Sequence, residues 1–310
     1  MPDSVAVIDI GSNTIKLLVA ARLPAGGIET LQYAVDEARL GRGLGAGNLV
    51  LSHEAMTRGR NAVQHLLHQA AAHAPKQVAI VATSAVRDAA NGEEFAHLIR
   101  TTTGHPVRIL SGNEEADAIG RGLAADPALA GAEDFYLFDL GGGSLECIEF
   151  RQRRSAQAAS LQLGCVRLAE RCLADPAAPF SSADRASVAA AVGDAFAEGA
   201  FRFTLPRPTA AVATGGTVTT VRVMLAAQAG DEAATARTTV TTRDLERLLA
   251  LTAAQPLASR REIPGLPAAR ADVFPTALAT ILEVARLAGV AQFTHSFYNL
   301  RYGIADTLLT

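Results

Sequence analysis

Cysteine is scarce in this chain of 310 residues. Cys147, Cys165 and Cys172 are the whole set, and no two are spaced C-x-x-C. An odd, sparse set supports neither a disulfide scaffold nor a structural zinc site, and it fits reduced thiols in a cytoplasmic protein. Long apolar runs are missing too. No segment reaches the ~20 consecutive apolar residues that span a bilayer, and Met1-Pro2-Asp3-Ser4 lacks the basic stretch of a signal peptide. Excess positive charge is absent: the formal net charge is −3, which disfavours a globally basic nucleic-acid binder. Tryptophan is absent as well, and that excludes nothing. Charged residues make up 19% and hydrophobic ones 49%, a balance that rules out a disordered chain. The length suits two domains or one large one.

Ser4 to Ile10 is a short β-branched apolar run that predicts a strand. It ends in Gly11-Ser12-Asn13-Thr14, and an apolar strand resumes at Ile15. The result is a hairpin with a small polar tip and an acid, Asp9, at the end of its first strand. Such a tip leaves backbone N–H groups accessible to phosphate oxygens; the alternative is an ordinary hairpin turn. The pattern returns at Phe135 to Leu140, with Asp139 near the end, followed by Gly141-Gly142-Gly143-Ser144 and a strand from Leu145 to Phe150. Two copies in the same context suggest a duplicated domain with a phosphate hairpin in each half. Neither copy is a Walker loop or a dinucleotide fingerprint. A third site, Gly215-Gly216-Thr217, follows a β run and opens a helix over residues 218–227. It is either an anion site at a helix start or a plain βα turn.

The segments between these sites alternate. Helices are predicted over 52–72, 92–103, 111–124, 164–174, 181–203, 241–253 and 268–287, and strands over 77–82, 107–110 and 292–296. Helices between strands predict α/β layers. The boundary is expected near Asp126-Pro127, giving domains 1–125 and 126–310, with the last helix free to pack back on the first.

Three carboxylates stand out. Ser111 and Glu114 have capping-box spacing, which leaves Glu115 without an obvious structural job; helix-dipole pairing is its alternative. Asp139 and Glu146 flank the second glycine loop, where two hard oxygen ligands beside phosphate suit Mg²⁺. The alternative is a pair of exposed strand acids. Strand alternation puts Glu149 on the other face from Glu146, so it is a worse candidate. Arg39, Arg42, Arg58 and Arg60, or Arg151, Arg153 and Arg154, could line a polyanion's approach or simply be a solvated face.

At this point an ordered set of segments becomes specific. Val7-Ile8-Asp9-Ile10-Gly11-Ser12-Asn13-Thr14, the run from Ala82 through Thr83-Ser84-Ala85-Val86-Arg87 to Asn91, Ser111-Gly112-Asn113-Glu114-Glu115-Ala116 and Asp139-Leu140-Gly141-Gly142-Gly143-Ser144-Leu145-Glu146 resemble the exopolyphosphatase/guanosine pentaphosphate phosphohydrolase (Ppx/GppA) family. Leu163 to Leu168, Gly215-Gly216-Thr217 and Leu266 to Val273 extend the likeness over essentially the whole chain, in the short two-domain form. The resemblance implies two actin/Hsp70-like (ribonuclease H-like) α/β domains with an interdomain active-site cleft. It also implies Mg²⁺-dependent removal of the terminal phosphate of inorganic polyphosphate, or of the 5′ γ-phosphate of pppGpp. By the same resemblance Glu115 is the base that activates water, and Asp139 and Glu146 hold Mg²⁺ or position the water. Asp9, Gly11, Ser12, Asn13, Thr14, Arg87, Gly141, Gly142, Gly143, Ser144, Gly215, Gly216 and Thr217 bind phosphate. A homodimer and a monovalent cation are further expectations; nucleic-acid and membrane partners are not.

The chain departs from the family pattern in places. Leu145 stands where the family often has Thr. Leu300-Arg301-Tyr302-Gly303 replaces leucine-arginine-glutamate-glycine, and Phe274-Pro275 replaces a glycine-containing turn. These changes bear on substrate preference rather than on hydrolysis. The competing readings are an alarmone or nucleotide sensor, and a kinase on the same fold that transfers phosphate to an acceptor.

Overall fold

The computed structural model describes residues 3–24, 26–44, 49–232 and 237–310. The chain divides into two units, Met1–Gly131 with Tyr298–Thr310, and Ala132–Phe297. The expected boundary at 125/126 thus moves to 131/132, and 298–310 leaves the second domain. The physical reason for the second change is a backbone-to-backbone helix contact described below.

The first unit is built from β1 (Ser4–Ile10), β2 (Ile15–Arg22), β3 (Ile28–Asp36), α1 (His53–Ala71), β4 (Gln77–Ala82), α2 (Ser84–Arg87), α3 (Gly92–Thr103), β5 (Val107–Ile109) and α4 (Gly112–Ala124). Its sheet runs β3-β2-β1-β4-β5, with β1 antiparallel to β2 and parallel to β4. Every residue of β1 is buried, as befits a central strand covered on both faces. Ala6, Ile8 and Ile10 turn toward a core that includes Met56, Val63 and Leu66 of α1 and Phe95 and Ile99 of α3.

The second unit comprises β6 (Phe135–Leu140), β7 (Leu145–Arg151), β8 (Arg154–Leu161), α5 (Cys165–Cys172), α6 (Ser182–Glu198), β9 (Ala211–Thr214), α7 (Gly215–Ala229), β10 (Thr239–Thr241), α8 (Thr242–Ala253), α9 (Leu257–Arg260), α10 (Phe274–Ala288) and β11 (Gln292–His295). Its sheet runs β10-β11-β9-β6-β7-β8. Read from β8 inward, the first five strands repeat the order and the strand senses of the first unit. The duplicated α/β, actin-like architecture with two mixed sheets is therefore present. Cys147 and Cys165 are buried, Cys172 is half-buried, and none is disulfide-bonded. Burial pushes the Cys147 and Cys165 thiols above their ordinary range. Among the described residues no helix is long and apolar enough to cross a membrane.

The last helix, α11 (Leu300–Leu308), lies in the first unit and packs on α4 and β1. A Cβ on Gly303 would overlap the Ala118 carbonyl, and one on Gly122 would overlap that of Asn299. Glycine at both positions lets the two helix backbones touch.

Two predicted helices are shorter than expected. The helix set at 181–203 stops at Glu198, before Gly199, which takes an extended conformation. The helix set at 268–287 begins only at Phe274, after a 3-10 turn at Ala268–Arg270. Pro275 sits in its first turn, where its missing N–H is harmless and where a helix starts rather than continues.

Candidate functional site

In the first unit, β1 turns through Gly11–Thr14 into β2. Gly11 N–H donates to the Thr14 carbonyl at 3.1 Å. The outward carbonyls of this tip are satisfied by a following loop: Gly41 N–H donates to Ser12 at 2.7 Å and Arg39 N–H to Asn13 at 2.9 Å. The N–H groups of Ser12 and Asn13 find no backbone acceptor among the described residues. Both side-chain polar atoms of Asn13 are also without a partner, although the residue is only 6% exposed. Buried polar groups are normally satisfied, so this tip is built to receive something polar, and its free donors suit an anion.

The tip is tied to the segment that carries Arg87. Ser12 Oγ lies 3.0 Å from Ser84 Oγ, and Thr83 N–H donates to the Ile10 carbonyl at 3.1 Å. From the end of α2, Arg87 donates to the Leu110 carbonyl at 3.0 Å and to Glu115 Oε2 at 2.7 Å. Glu115 is buried in the first turn of α4. Its neighbour Glu114 closes the capping box with Ser111 and pairs with Arg108 at 2.5 Å. The Arg108 hydrogen bond first, then those from the Ser111 backbone and hydroxyl, lower the Glu114 pKa to about 2. Adjacent glutamates thus have separate tasks: Glu114 caps the helix, and Glu115 faces an arginine inside the unit.

Asp9 is held by a residue that the sequence reading did not single out as functional. Arg301 of α11 reaches Asp9 Oδ2 at 3.1 Å, and both residues are buried. The central carbon of the Arg301 guanidinium lies 5.2 Å from the centre of the Tyr33 ring. Lys16 stands directly opposite Asp9 on β2.

In the second unit, β6 turns through Gly141–Ser144 into β7, and Gly141 N–H donates to the Ser144 carbonyl at 3.0 Å. Here the outward carbonyls are taken by the start of a helix. Cys165 N–H donates to Gly141 at 3.0 Å, Val166 and Arg167 N–H to Gly142 at 2.9 and 3.2 Å, and Arg167 Nε to Gly143 at 2.9 Å. The N–H groups of Gly142 and Gly143 have no backbone acceptor among the described residues.

Asp139 and Glu146 are directly opposed in the β6–β7 register. Paired positions share a face with Cβ atoms about 5 Å apart. Glu146 is buried and accepts from Ser160 Oγ at 2.8 Å. Two facing carboxylates repel unless a cation stands nearby. With water and phosphate oxygens they form the hard donor set that Mg²⁺ favours, so these residues fit such an ion. Among the described residues no larger His, Cys, Asp or Glu cluster offers a metal site.

The third glycine segment comes to the same place. Gly215 opens α7 at φ +87°, and a Cβ there would overlap Asp139 Oδ1. Only glycine combines that backbone angle with so close a carboxylate. The Arg270 guanidinium lies over Gly216, with Nη2 3.5 Å from Thr217 Oγ1, and its Nε has no hydrogen-bond partner. Arg270 is a second cation missing from the sequence reading, although it lies within a segment that carries the family likeness.

Other candidates fall away from these turns. Glu149 is buried; burial alone would raise its pKa, but hydrogen bonds from Thr204, Arg151 and Gln157 outweigh this and lower it. Arg151 and Arg154 face each other at the β7–β8 turn, about 20 Å along β7 from the glycine loop at ~3.4 Å per residue. Arg151 also bonds Thr204 and Arg153 the Ala132 carbonyl, so this trio does not line the loop. Arg58 is engaged by the Ala38 carbonyl and Glu54, and Arg60 by Asn61.

The candidate residues thus gather in two groups. Asp9, Gly11, Ser12, Asn13, Thr14, Arg87 and Glu115 lie in the first unit. Asp139, Gly141, Gly142, Gly143, Ser144, Glu146, Gly215, Gly216 and Thr217 lie in the second.

Known proteins share this arrangement of chain. An exopolyphosphatase from Cytophaga hutchinsonii has 25% sequence identity and a TM-score of 0.88, over 99% of this chain and 98% of its own. A structure described as an exopolyphosphatase-like protein has 26% identity and a TM-score of 0.86, over 99% of each chain. A Ppx/GppA family member from Aquifex aeolicus shares the fold at 20% identity and a TM-score of 0.77, over 99% of this chain and 98% of its own. The family model described as the Ppx/GppA phosphatase family matches residues 19–310. With that match spanning most of the sequence, the chain belongs to the Ppx/GppA phosphatase family.

Proposed function

We propose that the protein is a Mg²⁺-dependent phosphohydrolase that removes the terminal phosphate of inorganic polyphosphate, the 5′ γ-phosphate of pppGpp, or both. The observation that carries this reading is the pair of like-built hairpins with unlike charge: Asp9 opposite Lys16 in one, Asp139 opposite Glu146 in the other. A charge-balanced pair that presents an ammonium beside free backbone N–H groups suits phosphate oxygens, and a dianionic one suits the metal that accompanies them.

The residues then take distinct roles. The N–H groups of Ser12 and Asn13, with Lys16, hold phosphate oxygens at the first hairpin; those of Gly142 and Gly143 do so at the second. Asp139 and Glu146 would hold Mg²⁺, which would supply neutralisation of phosphoryl charge. Glu115 accepts a proton from the attacking water, and the ion pair with Arg87 fixes the direction of one of its oxygens. The water oxygen bonds to the terminal phosphorus, the anhydride P–O bond breaks, and orthophosphate leaves from a substrate shortened by one phosphate. Such chemistry asks mainly for positioning and charge neutralisation.

The test is phosphate release by wild type and Glu115→Gln, with and without Mg²⁺, on polyphosphate, pppGpp and ATP. The expected result is Mg²⁺-dependent release from polyphosphate or pppGpp that Glu115→Gln abolishes. Full activity in Glu115→Gln would remove Glu115 as the base. Absence of release from every substrate would overturn the hydrolase.

A further inference from the structure

The first unit carries an aromatic ring in an unusual setting. Tyr33, on the edge strand β3, is 52% exposed, and Val35, two residues on and on the same face, is 46% exposed. Register places Val35 beside Lys16, and Lys16 beside Asp9. Tyr33, Val35, Lys16 and Asp9 therefore share one face of the sheet, with β3 about 10 Å from β1 at ~4.8 Å per strand. Over this face Arg301 bonds Asp9 with one nitrogen and lies against the Tyr33 ring, 5.2 Å from its centre. Arg301 is itself only 3% exposed, so the cation beneath the ring is fixed and largely stripped of water. Tyr302, the next residue, is likewise anchored to the unit, its hydroxyl 2.7 Å from Thr30 Oγ1 on the same strand.

A ring oriented by a buried guanidinium, enlarged by an apolar neighbour and flanked by an ammonium, is the chemistry of a base followed by phosphates. Polyphosphate has no ring and would gain nothing from Tyr33 or Val35. We propose that Tyr33, backed by Arg301 and widened by Val35, is a stacking platform for the base of a purine nucleoside 5′-polyphosphate whose phosphates run past Lys16 to the Gly11–Asn13 tip. The bicyclic purine matches a floor of two side chains better than a pyrimidine does. The inference rests on the phosphohydrolase reading for the position of the phosphates, and within that reading it favours the nucleotide substrate. Stacking on an aromatic ring contributes about 10-fold or more in affinity, and the cation behind the ring fixes its orientation.

The natural chain has no tryptophan, so Tyr33→Trp yields a protein with a single indole at the platform. GTP is expected to quench its emission, while tripolyphosphate at saturating concentration leaves it unquenched. In steady state, the ratio of kcat/KM for pppGpp to that for tripolyphosphate is expected to fall about 10-fold in Tyr33→Ala. It should recover in Tyr33→Phe, because stacking needs the ring and not the hydroxyl. Equal quenching by both ligands, or an unaltered ratio in Tyr33→Ala, overturns the platform. Hydrolysis of both substrates with no quenching by GTP removes the platform and keeps the phosphohydrolase. Quenching by GTP without hydrolysis of any substrate does the reverse.

Discussion

In the first hairpin Asp9 stands opposite Lys16; at the same step of the second, Asp139 stands opposite Glu146. Everything around that step is repeated: the central strand, the four-residue tip, the Gly-to-carbonyl closure, and a partner that removes the outward carbonyls from competition. What differs is one residue on the second strand. A scaffold whose tips leave backbone N–H groups without backbone acceptors carries unlike local charge in its two copies, balanced across the pair in one and doubly negative in the other, so on the proposed reading one suits phosphate directly and the other suits phosphate with a cation. The means of support differ as well: an irregular loop at the first tip, the start of α5 at the second.

The sharpest way to break the comparison is to make the two hairpins alike. Glu146→Lys should lower phosphate release by about 1,000-fold and abolish its dependence on added Mg²⁺, since a metal's electrostatic stabilisation is worth several kcal/mol. A Mg²⁺ titration of initial rates in both proteins checks this. Residual Mg²⁺-dependent activity would mean that Asp139 alone suffices. Next in size is the support of Asp9. Arg301→Ala leaves a buried carboxylate without its partner, and urea denaturation should read about 3–5 kcal/mol of lost stability. The double variant Asp9→Asn, Arg301→Met should lose less, because no uncompensated charge remains. The opposite exchange of charge comes third. Lys16→Glu should raise KM for a polyanion about 10-fold at low salt, with a smaller rise at higher ionic strength where screening shortens the reach of the charge.

The smallest effect belongs to a histidine outside both hairpins. His295 of β11 is buried between Thr219 and Arg222. Burial, then the charge of Arg222, lower its pKa from 6.5 to about 3. Between those values the unfolded chain binds a proton that the folded one refuses, so stability should decline as pH falls below 6.5. The melting temperature of wild type should drop on acidification from pH 7 to pH 5. In His295→Gln that part of the slope should flatten.

Much of the fold was legible because its signals are local. The tips at Gly11–Thr14 and Gly141–Ser144 announce themselves by glycine and small polar residues after an apolar run, and Ser111–Glu114 by capping-box spacing. The edge strands β3 and β8 were not foreseen. Their sequences, Ile28–Asp36 and Arg154–Leu161, are half-exposed and mixed in polarity, so pairing with the neighbouring strand, not periodicity, makes them strands. Among the candidate residues, Asp139 and Glu146 stand out by flanking a glycine loop and Glu115 by the family resemblance, whereas Arg301 and Arg270 are given no role. Arg301 earns its importance from a partner 292 positions away, a relation no window along the chain contains. Pro275 is a readable start signal for α10 that the long apolar stretch conceals.

The late position of Arg301 also bears on how the molecule is made. The second unit is one continuous stretch, 132–297, inserted into the first. The strands of the first unit leave the ribosome early, yet α11 and the counter-charge for Asp9 follow only after the inserted unit has been synthesised. At ~5–20 residues per second, the 292 positions between Asp9 and Arg301 correspond to about 15–60 s of translation. During that interval Asp9 has no Arg301, α4 has no helix against Gly122, and the face around Tyr33 is open. The part of the protein that is begun first is therefore completed last, and the inserted unit has time to fold by itself before the first one closes.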